Sequence, residues 1–282
     1  MASIIEKDID FNQLCKPWLD QIPVHLGYDK LVFKYETDEN YKNDRPLEKN
    51  IHFIWVGQLI KQKYINAALQ CAYINKDYNI ILWVEASSIN TEITALLNSY
   101  GIQCRNIYTD LAEDMGELGK YILNQVNKNP NYAYKADIIR LYVVYKYGGI
   151  YSDIDSVWLK PLDHNFNHDF VCYRIDDECK DIGNPFFGFA SGSYILLNIL
   201  NQLEQSINTI MVAGNSRWNQ DYIPLMTGGG LIMRVLGETK PVGLNYIHQA
   251  YCVIGGRHEK LYSVFSKEGK AYCYQTFDKN WC

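Results

Sequence analysis

The sequence predicts an α/β fold, a largely parallel sheet covered by helices. Short apolar runs of the buried-strand type recur between residues 51 and 190. Segments of helical length alternate with them, and glycines or polar turns mark the joins. The chain has 282 residues, 48% hydrophobic and 21% charged, which suits one α/β domain with elaborations and excludes a disordered chain.

Taken in order, roughly the first 50 residues hold Pro17, Pro23 and Pro46 and a polar run from 36 to 50. They read as a helical or irregular N-terminal extension (1–50), leaving 51–282 as the main domain. Ile51-His52-Phe53-Ile54-Trp55-Val56 is a buried strand stopped by Gly57. Residues 62–76 read as a helix, 78–84 as a second buried strand, 91–100 as a helix ended by Gly101, and 102–108 as a short strand. A long helix spans 132–147. Gly148 and Gly149 end it, and 150–155 runs as a strand into a turn. Further strands are expected at 170–173 and 186–190, an amphipathic helix at 194–205, and a glycine loop at 227–230 opening a short helix, 231–236. Ligands of a parallel sheet bind at the carboxyl ends of its strands, so the Trp55-Val56-Gly57 turn is well placed to touch a nucleotide.

A net charge of −5 argues against a nucleic-acid footprint. The eight cysteines are scattered and form no C-x-x-C, which fits reduced thiols. No basic-then-apolar leader and no bilayer-length apolar run are seen, so a soluble, cytoplasmic protein is expected.

The chemistry concentrates in Lys135-Ala136-Asp137-Ile138-Ile139-Arg140 and Tyr147-Gly148-Gly149-Ile150-Tyr151-Ser152-Asp153-Ile154-Asp155. Two apart on a strand, Asp153 and Asp155 would share one face. Carboxylates that close repel unless a cation lies near them. Oxygen ligands suit Mn²⁺ or Mg²⁺, ions that keep waters and bridge to phosphates. Asp137 and Arg140, three apart on a helix, share a face and suit a ribose hydroxyl, a sugar or a phosphate. Each piece alone has a plainer meaning: a D-x-D is commonly a solvated turn, an Asp–Arg helix pair a surface salt bridge, a tryptophan in an apolar strand a core residue. Specificity lies in their combination and spacing.

On IHFIWVG (51–57), KADIIRLYVVYKYGGIYSDIDSVWLKPLD (135–163), NPFFGFA (184–190) and TGGG (227–230), the chain resembles the DXD-containing sugar transferases of the Och1-like, capsular-polysaccharide type, glycosyltransferase family 32. It is more distantly similar to the glucosylating domain of large clostridial toxins. The resemblance runs from about residue 50 to the C-terminus. It implies a GT-A fold, Rossmann-like and nucleotide-sugar-binding, with added helices. The implied activity is retaining, metal-dependent hexose transfer from a nucleotide sugar to a glycan, glycolipid or protein acceptor. A UDP-sugar is favoured and a GDP-sugar is open.

The same resemblance implies residue roles. Trp55 stacks on the base, with Val56 and Gly57 lining that pocket. Asp137, Arg140 and Tyr151 contact the donor. Asp153 holds ribose or sugar and the metal's waters, and Asp155 binds Mn²⁺ or Mg²⁺ directly. Asn184 and the Thr227-Gly228-Gly229 loop face sugar and acceptor, and Trp281 closes over the diphosphate. Asp153, Asp155, Arg140 and Asn184 form the catalytic set, with front-face attack and the leaving diphosphate taking the acceptor proton. The tail departs from the family pattern: Gln275, a third metal-ligand candidate beside Asp155 and Asp153, replaces histidine. Phe277 replaces tryptophan, Asn280 replaces serine, and TGGG stands for the commoner TGP.

Two rival functions are weighed. Asp153-Ile154-Asp155-Ser156-Val157 also fits the D-x-D-x-[TV] of haloacid-dehalogenase-like phosphatases, with Asp153 as nucleophile, Asp155 as general acid and Mg²⁺. That motif normally follows the first strand, and here it falls mid-chain. A non-catalytic nucleotide- or glycan-binding module would suit the Gln275 departure, whereas the intact Asp137, Arg140, Asp153 and Asp155 favour an enzyme.

Overall fold

In a computed structural model, residues 5–6, 45–113, 116–175, 180–212, 223–239, 241, 244–248, 253–255 and 272–275 are described. They form an eight-stranded mixed sheet of order β1-β9-β7-β8-β5-β2-β3-β4. Its parallel part is β2 (Asn50–Trp55), β3 (Asn79–Val84), β4 (Ile102–Asn106) and β5 (Gly149–Ser152). On the other side of β5 the direction reverses: β8 (Lys180–Phe189) runs antiparallel to β5 and to β7 (Phe170–Ile175). β9 (Asn245–His248) is parallel to β7, and β1 (Ile5–Glu6) pairs with it at the edge. A small second sheet joins β10 (Val253–Gly255), β11 (Cys273–Gln275) and β6 (Ser156–Trp158).

The central strands are apolar on both faces because both faces are covered. Along β2 and β3 the side chains alternate between two cores. Ile51, Phe53, Trp55, Ile80 and Leu82 pack with α1 (Gln62–Ile74) and with Leu97 of α2 (Thr91–Ser99). Ile54, Ile81 and Trp83 pack with α5 (Tyr132–Tyr147). The α5 helix is capped by Asn131, whose side chain accepts from the Tyr134 N–H, and 11 of its 16 residues are buried. It is enclosed all round, by the sheet, by α4 (Glu117–Asn127) and by α6 (Tyr194–Val212), which is why its sequence lacks one polar stripe.

Several elements depart from the sequence expectation. The strand ends at Ser152, so Asp153 and Asp155 lie in the turn before β6 and do not share a strand face. That turn closes through Ser156 N–H donating to Asp153 O, 3.2 Å. β4 stops at Asn106 because its Oδ1 accepts from the Tyr108 and Thr109 amides, an Asx turn. β8 begins at Lys180, before the expected 186, and α6 continues to Val212. Helices α3 (Asp110–Glu113) and α4 were not anticipated; α4 buries Leu118, Ile122, Gln125 and Val126, a helical spacing. α7 (Ile223–Met226) and α8 (Gly229–Thr239) follow, the latter against β8. Most of the 1–50 extension lies outside the described residues. Among the described residues no helix is long and apolar enough to cross a membrane.

Gly149, at φ +100, sits so close to β2 that a Cβ there would lie 2.4 Å from the Asn50 carbonyl oxygen. Gly149→Ala should therefore cost about 2–3 kcal/mol in urea unfolding, through backbone strain and collision together. Gly101→Ala, with φ +79 and open space around it, is the control and should cost about 1 kcal/mol. Equal losses in the two variants would refute the close approach.

Candidate active site

Seven side chains from five separate segments meet beneath the turn that follows β5. The Asp153 amide donates to Pro185 O at 2.9 Å, which pins the turn to β8. Asp153 Oδ1 accepts from Tyr151 Oη at 2.6 Å and pairs with Arg140 Nη1 at 3.3 Å. Its Oδ2 accepts from Gln275 Nε2 at 2.7 Å. Arg140 Nη2 pairs with Asp137 Oδ1 at 3.1 Å, and Nη1 donates to Asn184 O at 2.9 Å. The guanidinium carbon lies 4.6 Å from the centroid of the Tyr151 ring, a cation–π contact. Asp137 also accepts from Asn184 Nδ2 at 2.9 Å and from Thr227 Oγ1 at 3.1 Å.

The Asp137–Arg140 pair, one helical turn apart as expected, is thus buried and not a surface salt bridge. Burial pushes the Asp137 carboxyl up, to about 6, against the pull of Arg140 and Thr227. Asp153 is also raised by burial, with Arg140, Tyr151 and Gln275 opposing. Burial alone would lower Arg140, yet it is held charged by Tyr151, Asp137, Asp153 and Asp155 around it. Among the described residues, three carboxylates, Asp137, Asp153 and Asp155, act on this one guanidinium.

That balance, and one orphaned atom, bear on metal binding. Because Gln275 donates its Nε2 to a carboxylate, its Oε1 is turned away. Although buried, it meets no hydrogen-bond partner among the described residues. An amide oxygen and the part-exposed Asp155 carboxylate are hard donors of the kind Mg²⁺ and Mn²⁺ take, so the residues fit a divalent cation. Both Asp153 oxygens already accept from protein groups, which makes Asp153 an anchor of the turn before it is anything else. The same engagement, with Arg140 alongside, leaves it poorly placed as a phosphatase nucleophile. No three His, Cys, Asp or Glu side chains converge as a metal cluster among the described residues.

The expected nucleotide edge lies at the carboxyl ends of β2, β3 and β4. Trp55 sits in the core there: Tyr64 covers it at 4.7 Å between centroids, its Nε1 donates to Gln58 O at 2.7 Å, and 7% of it is exposed. A base cannot stack on that ring without displacing what covers it. Val56 is buried, and Gly57 (φ +100) lies against the Tyr132 ring, where a Cβ would come within 2.6 Å. Glu85 ties this edge together, accepting from Gly57 N–H, Lys135 Nζ and Tyr108 Oη, each at 3.0 Å. Burial would raise its carboxyl, but Lys135, the Gly57 amide and Tyr108 outweigh it and hold it low. Sequence reasoning missed Glu85; its only signal was a charge directly after an apolar strand. Gly228 is buried and Gly229 abuts β8, where a Cβ would lie 2.1 Å from Ile182 O. Trp281, Phe277 and Asn280 lie outside the described residues.

Residues 61–171 match the family described as glycosyltransferase sugar-binding region containing DXD motif, a segment that includes Asp137, Arg140, Tyr151, Asp153 and Asp155. The chain is similar to the DXD glycosyltransferases. Members of that type are generally dependent on a divalent metal. Subversion of eukaryotic traffic protein A of Legionella pneumophila is 25% identical over 226 residues, 77% of this chain and 34% of that protein. Inositol phosphoceramide mannosyltransferase 3 of Schizosaccharomyces pombe is 26% identical over 172 residues, 61% of this chain and 41% of that protein. The chain thus spans well under half the length of these curated relatives. A solved structure, the PaToxG glycosyltransferase, superposes with a TM-score of 0.55 at 18% identity, covering 79% of this chain and 76% of its own. That likeness gives the fold as GT-A.

Arg140→Met should lower stability by about 3–5 kcal/mol in chemical denaturation, because Asp137 and Asp153 then remain buried without a counter-charge. A loss under about 1 kcal/mol would show that water reaches them. The Asp137 shift carries its own sign. With its native pKa above the unfolded value, the folded state holds the proton longer, so its stabilising contribution is full below the unfolded value of 3.8 and is lost as pH rises through about 6. Stability of the native sequence relative to Asp137→Asn should fall across that window; a rise would mean that Arg140 outweighs burial.

Proposed function

We propose that the chain is a metal-dependent glycosyltransferase that moves a hexose from a nucleotide-sugar donor to a hydroxyl acceptor, with retention of anomeric configuration. The observation that carries this is the buried Asp137–Arg140–Asp153 network beneath the D-x-D turn. Carboxylates gathered at the D-x-D turn suit a divalent cation that enters together with a diphosphate. Asp155 and Gln275 Oε1 would hold that cation. When bound it would supply charge neutralisation for the donor diphosphate, as Mn²⁺ and Mg²⁺ both do.

The chain's own groups then have distinct parts. Tyr151 and Gln275 hold Asp153, so the D-x-D turn keeps one shape. Arg140 presents fixed positive charge near the place where charge develops on the leaving group, and needs no reorientation to do so. Asn184 and Thr227 hold Asp137, leaving its neighbours to meet ribose or sugar. Asp137 and Asp153 are both committed to Arg140 and are therefore poor bases for the acceptor. Front-face attack, with the leaving diphosphate taking the acceptor proton, suits that commitment. The base would lie over the Gly57–Glu85–Tyr132 edge, a UDP-sugar first and a GDP-sugar second. The acceptor is a glycan, glycolipid or protein hydroxyl. Cys71, Cys104 and Cys172 form no disulfide, which suits work in a reducing, cytoplasmic setting.

The test is donor hydrolysis without acceptor. Purified protein is incubated with a panel of UDP- and GDP-sugars, with Mn²⁺ or chelator, beside Asp155→Asn. Nucleotide release from one donor is expected, lost with chelator and reduced about 10²-fold or more in the variant. Metal-dependent nucleotide binding without any turnover, even with glycan acceptors added, would favour a binding module. Absence of both binding and turnover would overturn the transferase proposal.

A further inference from the structure

We propose that His52 is a positioning residue for this site: a neutral imidazole in one fixed tautomer that holds the end of α5 against β2, and so sets where β5 delivers Tyr151 and Asp153. The inference rests on the transferase proposal for its kinetic readout only.

His52 is the polar side chain within an otherwise apolar stretch of β2, and it is wholly buried. A buried imidazole needs both ring nitrogens satisfied. Trp83 Nε1 lies 3.1 Å from His52 Nδ1. An indole N–H only donates, so Nδ1 accepts and carries no proton. The proton is then on Nε2, which donates to the Gly148 carbonyl at 2.8 Å. Burial, with Arg105 nearby, lowers the imidazole to about 4, so the ring stays neutral through the physiological range.

The acceptor is what gives this bond a consequence. Gly148 is the C-cap of α5 at φ +65, and its carbonyl belongs to the helix end, where intrahelical partners run out. Asn50, two residues earlier on β2, donates its Nδ2 to Tyr147 O at 3.0 Å. Two side chains of one strand therefore hold the last two carbonyls of the helix that carries Asp137 and Arg140. One residue on, β5 starts, with Ile150 opposite Ile51 and Tyr151 opposite His52. Asp153 follows immediately. The helix supplying the guanidinium and the strand leading into the turn that carries its carboxylate partner are joined through two glycines, Gly148 and Gly149, both at positive φ. Glycines at that joint leave the backbone free to move, and the imidazole restrains it from the side.

Two substitutions separate the two bonds. Glutamine puts an amide nitrogen near the place of Nε2 and keeps the donation to Gly148, while losing the Trp83 acceptor. Asparagine puts a carbonyl oxygen near the place of Nδ1 and keeps Trp83, while losing Gly148. If Gly148 is the partner that matters, His52→Gln should keep kcat for donor hydrolysis within about threefold. His52→Asn should lower it about 10²-fold, the penalty expected for a misplacement near 1 Å, with the donor KM little changed. Equal kcat losses in the two variants, or an active His52→Asn, would overturn the positioning role. A second measurement needs no activity: the ¹⁵N signals of the His52 ring, followed from pH 7 to pH 5. Protonated Nε2 with bare Nδ1 throughout is expected, and a proton on Nδ1 would refute the fixed tautomer. Should the native protein neither bind nucleotide nor turn over a donor, the transferase proposal fails while this ring measurement still decides the tautomer.

Discussion

Arg140 lies between two carboxylates, over a tyrosine ring, with almost no contact with water. Removing any one of these charges from solvent is expensive, and only their mutual pairing and hydrogen bonding make the arrangement tolerable. Much of the centre of the molecule can be understood as support for that pairing. The α5 helix is enclosed on all sides so that its Asp137 and Arg140 point inward without exposing apolar surface elsewhere. Asn184 and Thr227 donate to Asp137, and Tyr151 and Gln275 to Asp153. Asp155, beside this cluster, adds a hard oxygen donor, and that is the physical reason to look for a cation here.

The sheet places this cluster where its direction reverses. β5 runs parallel to β2 and antiparallel to β8, so the carboxyl end of β5 lies beside Asn184 and Pro185 of β8. A ligand crevice commonly forms at such a switch, because neighbouring connections leave in opposite directions. The Gly57–Glu85 edge, proposed for the nucleotide, and the D-x-D turn are both consequences of this layout. Glu85 organises the former through Gly57, Tyr108 and Lys135, and Arg140 organises the latter. Lys135 and Arg140 belong to the same helix, so the two ends of a donor would be read by one rigid element.

Gln275, standing where the resemblance expects histidine, can serve the same two hydrogen-bonding roles. A neutral imidazole offers one N–H donor and one bare acceptor. The Gln275 amide offers both as well: it donates to Asp153 and leaves an oxygen without a partner. A carboxylate in its place would face Asp153 with like charge and no proton to share. Where the resemblance expects a histidine, the glutamine keeps a donor on Asp153, and in the proposed function it would offer oxygen in place of nitrogen to a cation.

By itself the sequence determined the alternation of strands and helices, since apolar runs and glycine stops are local signals that burial on both faces makes unmistakable. It also determined the Asp137–Arg140 spacing on α5 and the neighbourhood of Asp153 and Asp155. The helices α3 and α4 passed unnoticed because an irregular polar stretch hides their short apolar stripe. Only the tertiary structure decided that the two aspartates leave a turn with different surroundings, that Trp55 is covered, and that Asp137 meets Thr227 from 90 residues away. It alone joined Gln275 to Asp153 across 122 residues, and Glu85 to Lys135 across 50. Hydrogen bonds between distant segments leave no periodic trace in the chain, and a side chain's charge state depends on what covers it. Residue types and spacing announce a site's ingredients; the balance of charge and desolvation that makes them work exists once the segments are packed together.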